Sequence, residues 1–156
     1  MRPWHTVATV FGLGYLPWAP GSWASLAALP PAWIIVWVGG PWALAAAAVL
    51  LGFAGCHAAA HHEQETGEYD AGVVVIDEVV GQWLVLATLP LDLLAYGLGF
   101  AAFRLFDIAK PRPIGWIERR ITGGPGVMAD DVAAAAYAIA LFYLADWGLR
   151  YGVLSG

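Results

Sequence analysis

The twenty residues "PWALAAAAVLLGFAGCHAAA", 41–60, contain no Asp, Glu, Lys or Arg side chain. A helix needs about twenty apolar residues to cross the hydrocarbon core of a bilayer. Pro41 suits the first position of such a helix, because the backbone N–H that proline lacks has no helical partner there. The stretch therefore predicts a membrane-spanning helix that begins at its proline.

The composition of the whole chain also favours a membrane location. Of the 156 residues, 60% are hydrophobic and 12% are charged, whereas a soluble domain carries about 25% charged residues. The single cysteine, Cys56, excludes an internal disulfide framework and predicts a buried thiol. There is no basic patch with interleaved aromatic residues, so nucleic acid is not expected as a partner. We predict one integral membrane domain, residues 1–156.

The apolar run before this stretch, residues 22–40, is interrupted by a Pro-Pro pair at 30–31. It predicts a kinked or short spanning helix, because neighbouring helices can satisfy the backbone groups that proline frees. The Gly-Gly pair at 39–40 predicts a tight turn that joins the two runs as a helical hairpin. Residues 61–78 are polar and acidic, so we expect them to return the chain to water.

The second half of the chain holds two further apolar stretches. Residues 79–106 predict two shorter helices joined near Pro90 and Asp92, because one helix would place this break deep in hydrocarbon. Residues 107–131 form a charged loop, and 132–152 predict a final spanning helix. The expected fold class is all-α, an integral membrane helical bundle of about four to five membrane helices with one pair short or re-entrant.

Basic residues set the expected orientation. Four of the seven lie in the loop 107–131, namely Lys110, Arg112, Arg119 and Arg120. Short loops rich in Lys and Arg stay in the cytoplasm. The predicted topology places this loop, the acidic segment and the N-terminus on one face of the membrane, so we expect that face to be cytoplasmic.

Five acidic residues fall near predicted helix starts: Asp70, the Asp77–Glu78 pair and the Asp130–Asp131 pair. One interpretation is capping, because a carboxylate at a helix N-terminus accepts from free N–H groups and complements the helix dipole. Capping does not require doublets, however, and it does not explain Asp107 at the opposite end of its helix. If these groups converge, a cation would relieve their repulsion. All-oxygen ligands suit magnesium, calcium or manganese better than zinc.

Residues 103–116, "FRLFDIAKPRPIGW", concentrate charge in an otherwise apolar region. Arg104 and Asp107 share one face of a helix, and Pro111 predicts that this helix ends near Lys110. One interpretation is an ion pair with a cation at the helix C-terminus. The other is a mixed site, in which carboxylates hold a metal while Arg104 and Lys110 bind phosphate.

Two glycine-rich segments allow similar alternatives. Residues 123–131, "GGPGVMADD", could hold an anion on backbone N–H groups, or simply form a turn before a helix. Residues 12–22, "GLGYLPWAPGS", could fold over the site, or form an irregular entry to the first helix.

The histidines suggest a competing metal site. His57 and His61 have the i, i+4 spacing that can bind zinc. His62 and Glu63 follow, so the glutamate does not lie between the histidines as it does in HExxH metalloproteases. We favour an interfacial cluster of histidines whose ring nitrogens are hydrogen-bonded.

Four segments carry a family resemblance: "LPWAPGSWASL", "VVVIDEVVGQW", "FRLFDIAKPRPIGWIE" and "GGPGVMADDVAAA". In this order, over nearly the whole chain, they resemble the phosphatidylglycerophosphatase A family. The segments "FRLFDIAKPRPI" and "GVMADD" are the most specific. The resemblance implies a bacterial inner-membrane, Mg²⁺-dependent lipid phosphatase with its site on the cytoplasmic side. Its substrate would be phosphatidylglycerophosphate, which loses its terminal phosphate to give phosphatidylglycerol.

The resemblance also implies roles for single residues. The family's acidic motif positions correspond to Asp70, Asp77, Glu78, Asp107, Asp130 and Asp131, and its basic positions to Arg104 and Lys110. One departure is Ala24, which occupies a glycine position of the family; it concerns the shape of the first loop and removes no charged group.

We therefore expect five residues to form the catalytic group: Asp77, Glu78, Asp107, Asp130 and Asp131. Together with Asp70 they would supply ligands for one or two Mg²⁺ ions, while Arg104 and Lys110 bind the phosphate of a phospholipid. The nucleophile would be either a metal-activated water or an aspartate. Membrane lipids would surround the protein, with four candidate interfacial residues, Trp18, Trp23, Trp83 and Trp116.

Two other classes of function are alternatives. One is a small ion transporter or channel with an acidic metal-binding mouth, because acidic residues in membrane proteins often line ion paths. The other is a structural membrane subunit whose charges are only helix caps.

Overall fold

A computed structural model describes residues 3–68, 72–112, 114–117 and 120–152 of the chain. Every regular element among these residues is helical. In chain order they are α1 (Pro3–Ala8), a short 3-10 turn (Leu13–Tyr15), α2 (Pro20–Ala27), α3 (Leu29–Thr66), α4 (Ile76–Leu86), α5 (Leu93–Ala109), α6 (Ile114–Ile117) and α7 (Gly124–Gly152). The all-α prediction is confirmed for the part of the chain that the structure describes.

Helix α3 contains the stretch 41–60 and a break immediately before it. Gly40 has φ 78° and ψ 176°, and Pro41 follows. Glycine adopts a positive φ at little steric cost, whereas other residues rarely do. Residues on both sides of the break share one buried cluster, which contains Ala32, Leu44, Leu86 and Tyr96. The helix is therefore interrupted at the Gly-Gly pair, and the tight turn of a helical hairpin stays a prediction.

The second part of α3 is longer than predicted. It ends at Thr66, and Gly67 closes it in the left-handed conformation with φ 73°. The helix thus extends six residues beyond the apolar stretch 41–60. His62 is only 3% exposed, so the packed face of the helix extends into the polar segment.

The predicted division of residues 79–106 into two helices is confirmed. Helix α4 ends at Leu86 and α5 begins at Leu93. Asp92 is the N-cap of α5, and its side chain accepts a hydrogen bond of 2.9 Å from the Ala95 backbone N–H. This contact gives Asp92 a structural role.

Helix α7 begins at Gly124, and not at residue 132 as predicted. A Cβ atom added at Gly124 would lie 1.9 Å from the carbonyl oxygen of Cys56, so glycine lets this helix start directly against α3. Val127 and Met128 are buried behind it. Asp130 and Asp131 consequently lie about two turns inside the helix, and the capping interpretation is wrong for this pair.

Helix α4 lies at the centre of the fold. Eight of its 11 residues are buried, and it packs against α2, α3, α5 and α7. Two stretches are long and apolar enough to cross a bilayer, Pro20–Thr66 and Gly124–Tyr151. Helices α4 and α5, with 11 and 17 residues, are shorter than the roughly twenty residues that a span requires. The larger number of membrane helices stays a prediction.

Candidate active site

The site begins in the first turn of α4, where Asp77 and Glu78 are neighbours. Apolar residues around them are buried, including Ile76, Val79 and Val80, and they hold this turn in the core. Successive side chains on a helix point in different directions. Glu78 faces α2 and α5, as its contacts with Gly21 and Arg104 show.

Asp131 of α7 joins these two residues. One carboxylate oxygen from each of Asp77, Glu78 and Asp131 lies within 4.8 Å of the other two; we call this group the acidic triad. Gly81 lets α4 and α7 approach closely, since a Cβ atom there would lie 3.1 Å from the carbonyl oxygen of Asp131. Residues from two helices that are distant in sequence thus form one cluster.

Each member of the acidic triad has a buried oxygen that accepts no hydrogen bond from the described protein atoms. These atoms are Asp77 Oδ1, Glu78 Oε2 and Asp131 Oδ2. Buried polar atoms in proteins nearly always have a partner. Three convergent carboxylate oxygens are a donor set that fits a hard divalent cation such as Mg²⁺.

The environment of α4 disfavours negative charge on both of its carboxyl groups. Burial, followed by repulsion from Glu78 and Asp131, raises the pKa of Asp77 well above its ordinary value. Burial also raises the pKa of Glu78, although a hydrogen bond with Asp77 and the charge of Arg104 oppose that rise. A bound cation would favour the ionised forms and reverse this effect.

Arg104 projects from α5 toward the acidic triad. Its Nη1 lies 2.5 Å from Asp107 Oδ2 and 3.9 Å from Glu78 Oε1. The side chain of Arg104 is 14% exposed, and its Nε has no hydrogen-bond partner among the described residues. The carboxyl of Asp107 also interacts with that of Asp131. The i, i+3 ion pair, which is one of the two interpretations of this segment, is present and borders the triad.

Lys110 supplies a second cation at the end of α5. The helix ends at Ala109, and Lys110 follows with φ 39°, which confirms the helix end predicted from Pro111. Its Nζ lies 2.9 Å from Asp130 Oδ2. The Asp130 Oδ1 atom accepts a bond of 3.1 Å from the Asp131 N–H. Lys110 therefore lies next to the acidic triad, because its partner Asp130 directly precedes Asp131.

Gly21 is a site residue that the sequence alone did not single out. A Cβ atom at Gly21 would lie 1.9 Å from Glu78 Oε1 and 3.3 Å from Arg104 Nη1, so the start of α2 covers these two side chains. Ser25, one turn later, is fully buried, and its hydroxyl donates a hydrogen bond of 2.9 Å to the Gly21 carbonyl. The sequence allows the segment 12–22 to fold over the site. The Pro-Gly pair near its end is the signal that could have identified Gly21.

The structure brings together all but one of the residues expected at the site: Asp77, Glu78, Asp107, Asp130, Asp131, Arg104 and Lys110. Asp70 lies outside the described residues. Among the candidate interfacial residues, Trp18, Trp23 and Trp116 are at least half exposed. Trp83 instead packs in the interior, where its indole N–H donates a hydrogen bond of 2.9 Å to the Ala28 carbonyl.

This arrangement places anionic and cationic groups side by side. Carboxylate oxygens can hold a divalent cation, while arginine and lysine can bind phosphoryl oxygens. Enzymes that transfer phosphoryl groups require both positioning and neutralisation of the phosphate charge. The site therefore has the chemical groups that phosphate-ester hydrolysis requires.

Comparison with known proteins agrees with this chemistry. The family model described as Phosphatidylglycerophosphatase A matches residues 6–146. The protein of that name from Escherichia coli (strain K12) is 36% identical over 156 residues, covering 99% of this chain and 90% of its own length. The protein of the same name from Haemophilus influenzae is 37% identical over 151 residues, covering 96% of this chain and 93% of its own length.

A third relative bears a different name. It comes from Bacteroides thetaiotaomicron, is provisionally named a phosphatidylinositol-3-phosphatase, and is 40% identical over 149 residues, covering 90% of this chain and 92% of its own length. No solved structure matches the chain. The family and these relatives give the transporter hypothesis no support. With a family model matched over most of its length, the chain belongs to the phosphatidylglycerophosphatase A family of phosphatases.

Proposed function

We propose that this chain hydrolyses the terminal phosphate monoester of phosphatidylglycerophosphate, giving phosphatidylglycerol and phosphate. The observation that carries the proposal is the placement of Arg104 and Lys110 against the carboxylates that border the acidic triad. This arrangement occurs in a chain whose relatives are named for that reaction.

The proposed cofactor is Mg²⁺, held by Asp77, Glu78 and Asp131. The unpartnered buried oxygens of these residues support this assignment, because magnesium prefers carboxylate oxygens and water. When bound, the ion would neutralise charge on the phosphoryl oxygens. Asp107 interacts with Asp131 and is the next candidate ligand, and Asp70 stays a candidate from the sequence alone.

The remaining charged residues would bind and orient the substrate. Arg104 offers a planar pair of N–H donors to phosphoryl oxygens, and Lys110 offers a compact positive charge. Asp107 and Asp130 hold these cations in place through their ion pairs. Hydrolysis forms a bond between the water oxygen and phosphorus and breaks the bond between phosphorus and the glycerol oxygen, which leaves with a proton. One carboxylate would either accept a proton from the attacking water, or attack phosphorus itself and form an intermediate that water then hydrolyses.

A lipid substrate agrees with the apolar surroundings of the site. A cavity of about 580 Å³ adjoins the first turn of α4, and its apolar lining includes Ile76, Val79 and Trp83. Outward-facing residues of α3 are strongly exposed, among them Trp37, Trp42 and Phe53. We propose that these faces contact membrane lipids and that the acyl chains of the substrate lie along the helices.

The proposed location is the bacterial inner membrane, crossed several times, with the site facing the cytoplasm. The loop between α5 and α7 supports this orientation through its four basic residues. Arg120 of this loop lies over the ring of the half-exposed Trp116, with its guanidinium carbon 4.5 Å from the ring centroid. Tryptophan is frequent at membrane interfaces, and the pair suits that position.

The test is phosphate release from phosphatidylglycerophosphate in detergent micelles, with and without Mg²⁺. Wild-type protein is compared with Asp77→Asn, Asp107→Asn and a control, Asp146→Asn. Asp146 pairs with Arg150 on an exposed surface, so its loss should leave activity unchanged. Mg²⁺-dependent release that only the first two variants lose is the expected result.

Two further arms separate this proposal from its alternatives. Phosphatidylinositol 3-phosphate serves as a second substrate, because one relative carries that name; preferential release from it would replace the proposed substrate and keep the phosphatase chemistry. Ion flux through liposomes without phosphate release from either lipid would overturn the proposal in favour of a transporter.

A further inference from the structure

All four histidines of the chain lie in one aromatic cluster, away from the acidic triad in sequence. The cluster joins α1 and the 3-10 turn to the last turns of α3. Its members are Trp4, His5, Tyr15, His57, His61 and His62. None of these residues takes part in the proposed phosphatase chemistry.

Two of the histidines form an accessible pair. His57 and His61 are one helical turn apart, and their Nε2 atoms lie 3.1 Å from each other. Their rings are nearly perpendicular, at 83°, with centroids 4.3 Å apart. His57 is exposed and His61 is half-buried. The ring of Trp4 stacks on His61, with centroids 6.2 Å apart and planes at 26°, and so limits the rotation of that imidazole.

Of the other two histidines, one is already hydrogen-bonded and the other is buried. The Nε2 atom of His5 is hydrogen-bonded to the Tyr15 hydroxyl. His62 is 3% exposed and packs against the rings of Trp4 and His5. Only His57 and His61 therefore combine converging ring nitrogens with access from outside.

We propose that His57 and His61 together bind a divalent transition-metal ion of the zinc, nickel and copper class. With metal–nitrogen distances of about 2.0–2.1 Å, nitrogens 3.1 Å apart subtend an angle of about 100° at the ion, between octahedral and tetrahedral values. The ion would replace the hydrogen bond between the two Nε2 atoms after a small rotation of each ring, and the donor nitrogen would lose its proton to Nδ1 of its own ring or to water.

The donor atoms set the selectivity of this site. Imidazole nitrogen favours zinc, nickel and copper, whereas the carboxylates of the acidic triad favour magnesium. Among the described residues no third His, Cys, Asp or Glu completes a cluster around this pair, so water fills the other positions. The pair therefore binds the ion through two nitrogens and water, and it needs both ring nitrogens unprotonated.

The test is Cu²⁺ and Zn²⁺ binding to full-length protein in detergent, after removal of any polyhistidine tag and with Mg²⁺ in excess. Titration calorimetry gives affinity and stoichiometry, and electron paramagnetic resonance of bound Cu²⁺ reports nitrogen ligands. The variants are His57→Ala and His61→Ala. His5→Ala is the matched control, because it removes a histidine of the same cluster but keeps the pair.

Wild type and His5→Ala are expected to bind one ion through two nitrogens. Each variant of the pair should weaken binding at least about tenfold, because even the loss of a residue that is hydrogen-bonded to a metal ligand has that effect. Each variant should also remove the two-nitrogen signal. His57 is exposed, so its replacement keeps the fold intact. Absence of binding by wild type, or binding that neither variant weakens, would overturn the proposal.

Discussion

The ammonium group of Lys110 lies 2.9 Å from Oδ2 of Asp130, and this ion pair joins the end of α5 to the second turn of α7. Arg104, also on α5, pairs with Asp107 on its own helix. Each cation proposed to bind phosphate is thus held by a carboxylate at the border of the acidic triad. This positions positive charge at the site before a substrate arrives.

Lys110→Gln is expected to lower kcat/KM by about a hundredfold or more, the effect of removing one group that stabilises transition-state charge. Lys110→Arg should retain part of the activity, because it keeps the positive charge. Arg150→Gln is the matched control, since its ion pair with Asp146 is exposed and belongs to a different part of α7. Equal losses in the Lys110 and Arg150 variants would contradict a phosphate-binding role. Steady-state kinetics in micelles measures all three variants.

Gly21→Ala should damage both the site and the fold. The new methyl carbon would lie 1.9 Å from Glu78 Oε1, and overpacking of this kind costs about 1–3 kcal/mol of the free energy of unfolding. Gly97→Ala is the control, because no atom lies within 4 Å of its new methyl. Alanine in place of glycine in a helix interior raises the free energy of unfolding by about 0.5–1 kcal/mol. Thermal unfolding and activity are measured for both. A neutral Gly21→Ala would show that α2 does not press on Glu78.

Magnesium should stabilise the protein more at pH 8 than at pH 5. Because the pKa of Asp77 is raised in the folded state, the folded protein binds its proton more tightly than the unfolded chain does. Without metal, stability therefore falls as pH rises through that raised pKa. Bound Mg²⁺ favours the ionised carboxylate and offsets this loss. Melting temperatures with and without Mg²⁺ across this pH range give the difference.

The same argument predicts the behaviour of Asp77→Asn. Removal of a buried charge should raise the metal-free melting temperature at pH 8 and reduce the Mg²⁺ effect. If Mg²⁺ stabilises this variant as strongly as wild type, Asp77 is not a ligand.

Gln82→Met should raise the free energy of unfolding. Gln82 is fully buried in α4, and neither its Nε2 nor its Oε1 has a hydrogen-bond partner among the described residues. An unpaired buried polar group costs about 1–3 kcal/mol, and methionine has a similar shape without that cost. Chemical denaturation of the two proteins measures the difference, and a less stable variant would show that the amide is hydrogen-bonded in the folded protein.

Several features follow from local sequence alone. Strong apolar runs predict helices whatever their partners, and proline, glycine and aspartate interrupt or begin them through the backbone itself. The break at Gly40 and the α5 start after Asp92 are of this kind. The residue types of the site also follow from the sequence, because paired carboxylates near Arg and Lys suit a metal and a phosphate.

The arrangement of the site depended on packing between distant parts of the chain. Helix α7 starts eight residues earlier than its apolar run, at 124 instead of 132, because Gly124 fits against the Cys56 carbonyl and Val127 and Met128 are buried. The sequence thus determined an all-helical, apolar chain and the chemistry of its charged residues. Only the tertiary structure decided which carboxylates meet, because close approach of α4 to α7 at Gly81, and of α2 to α4 at Gly21, depends on contacts that no local pattern encodes.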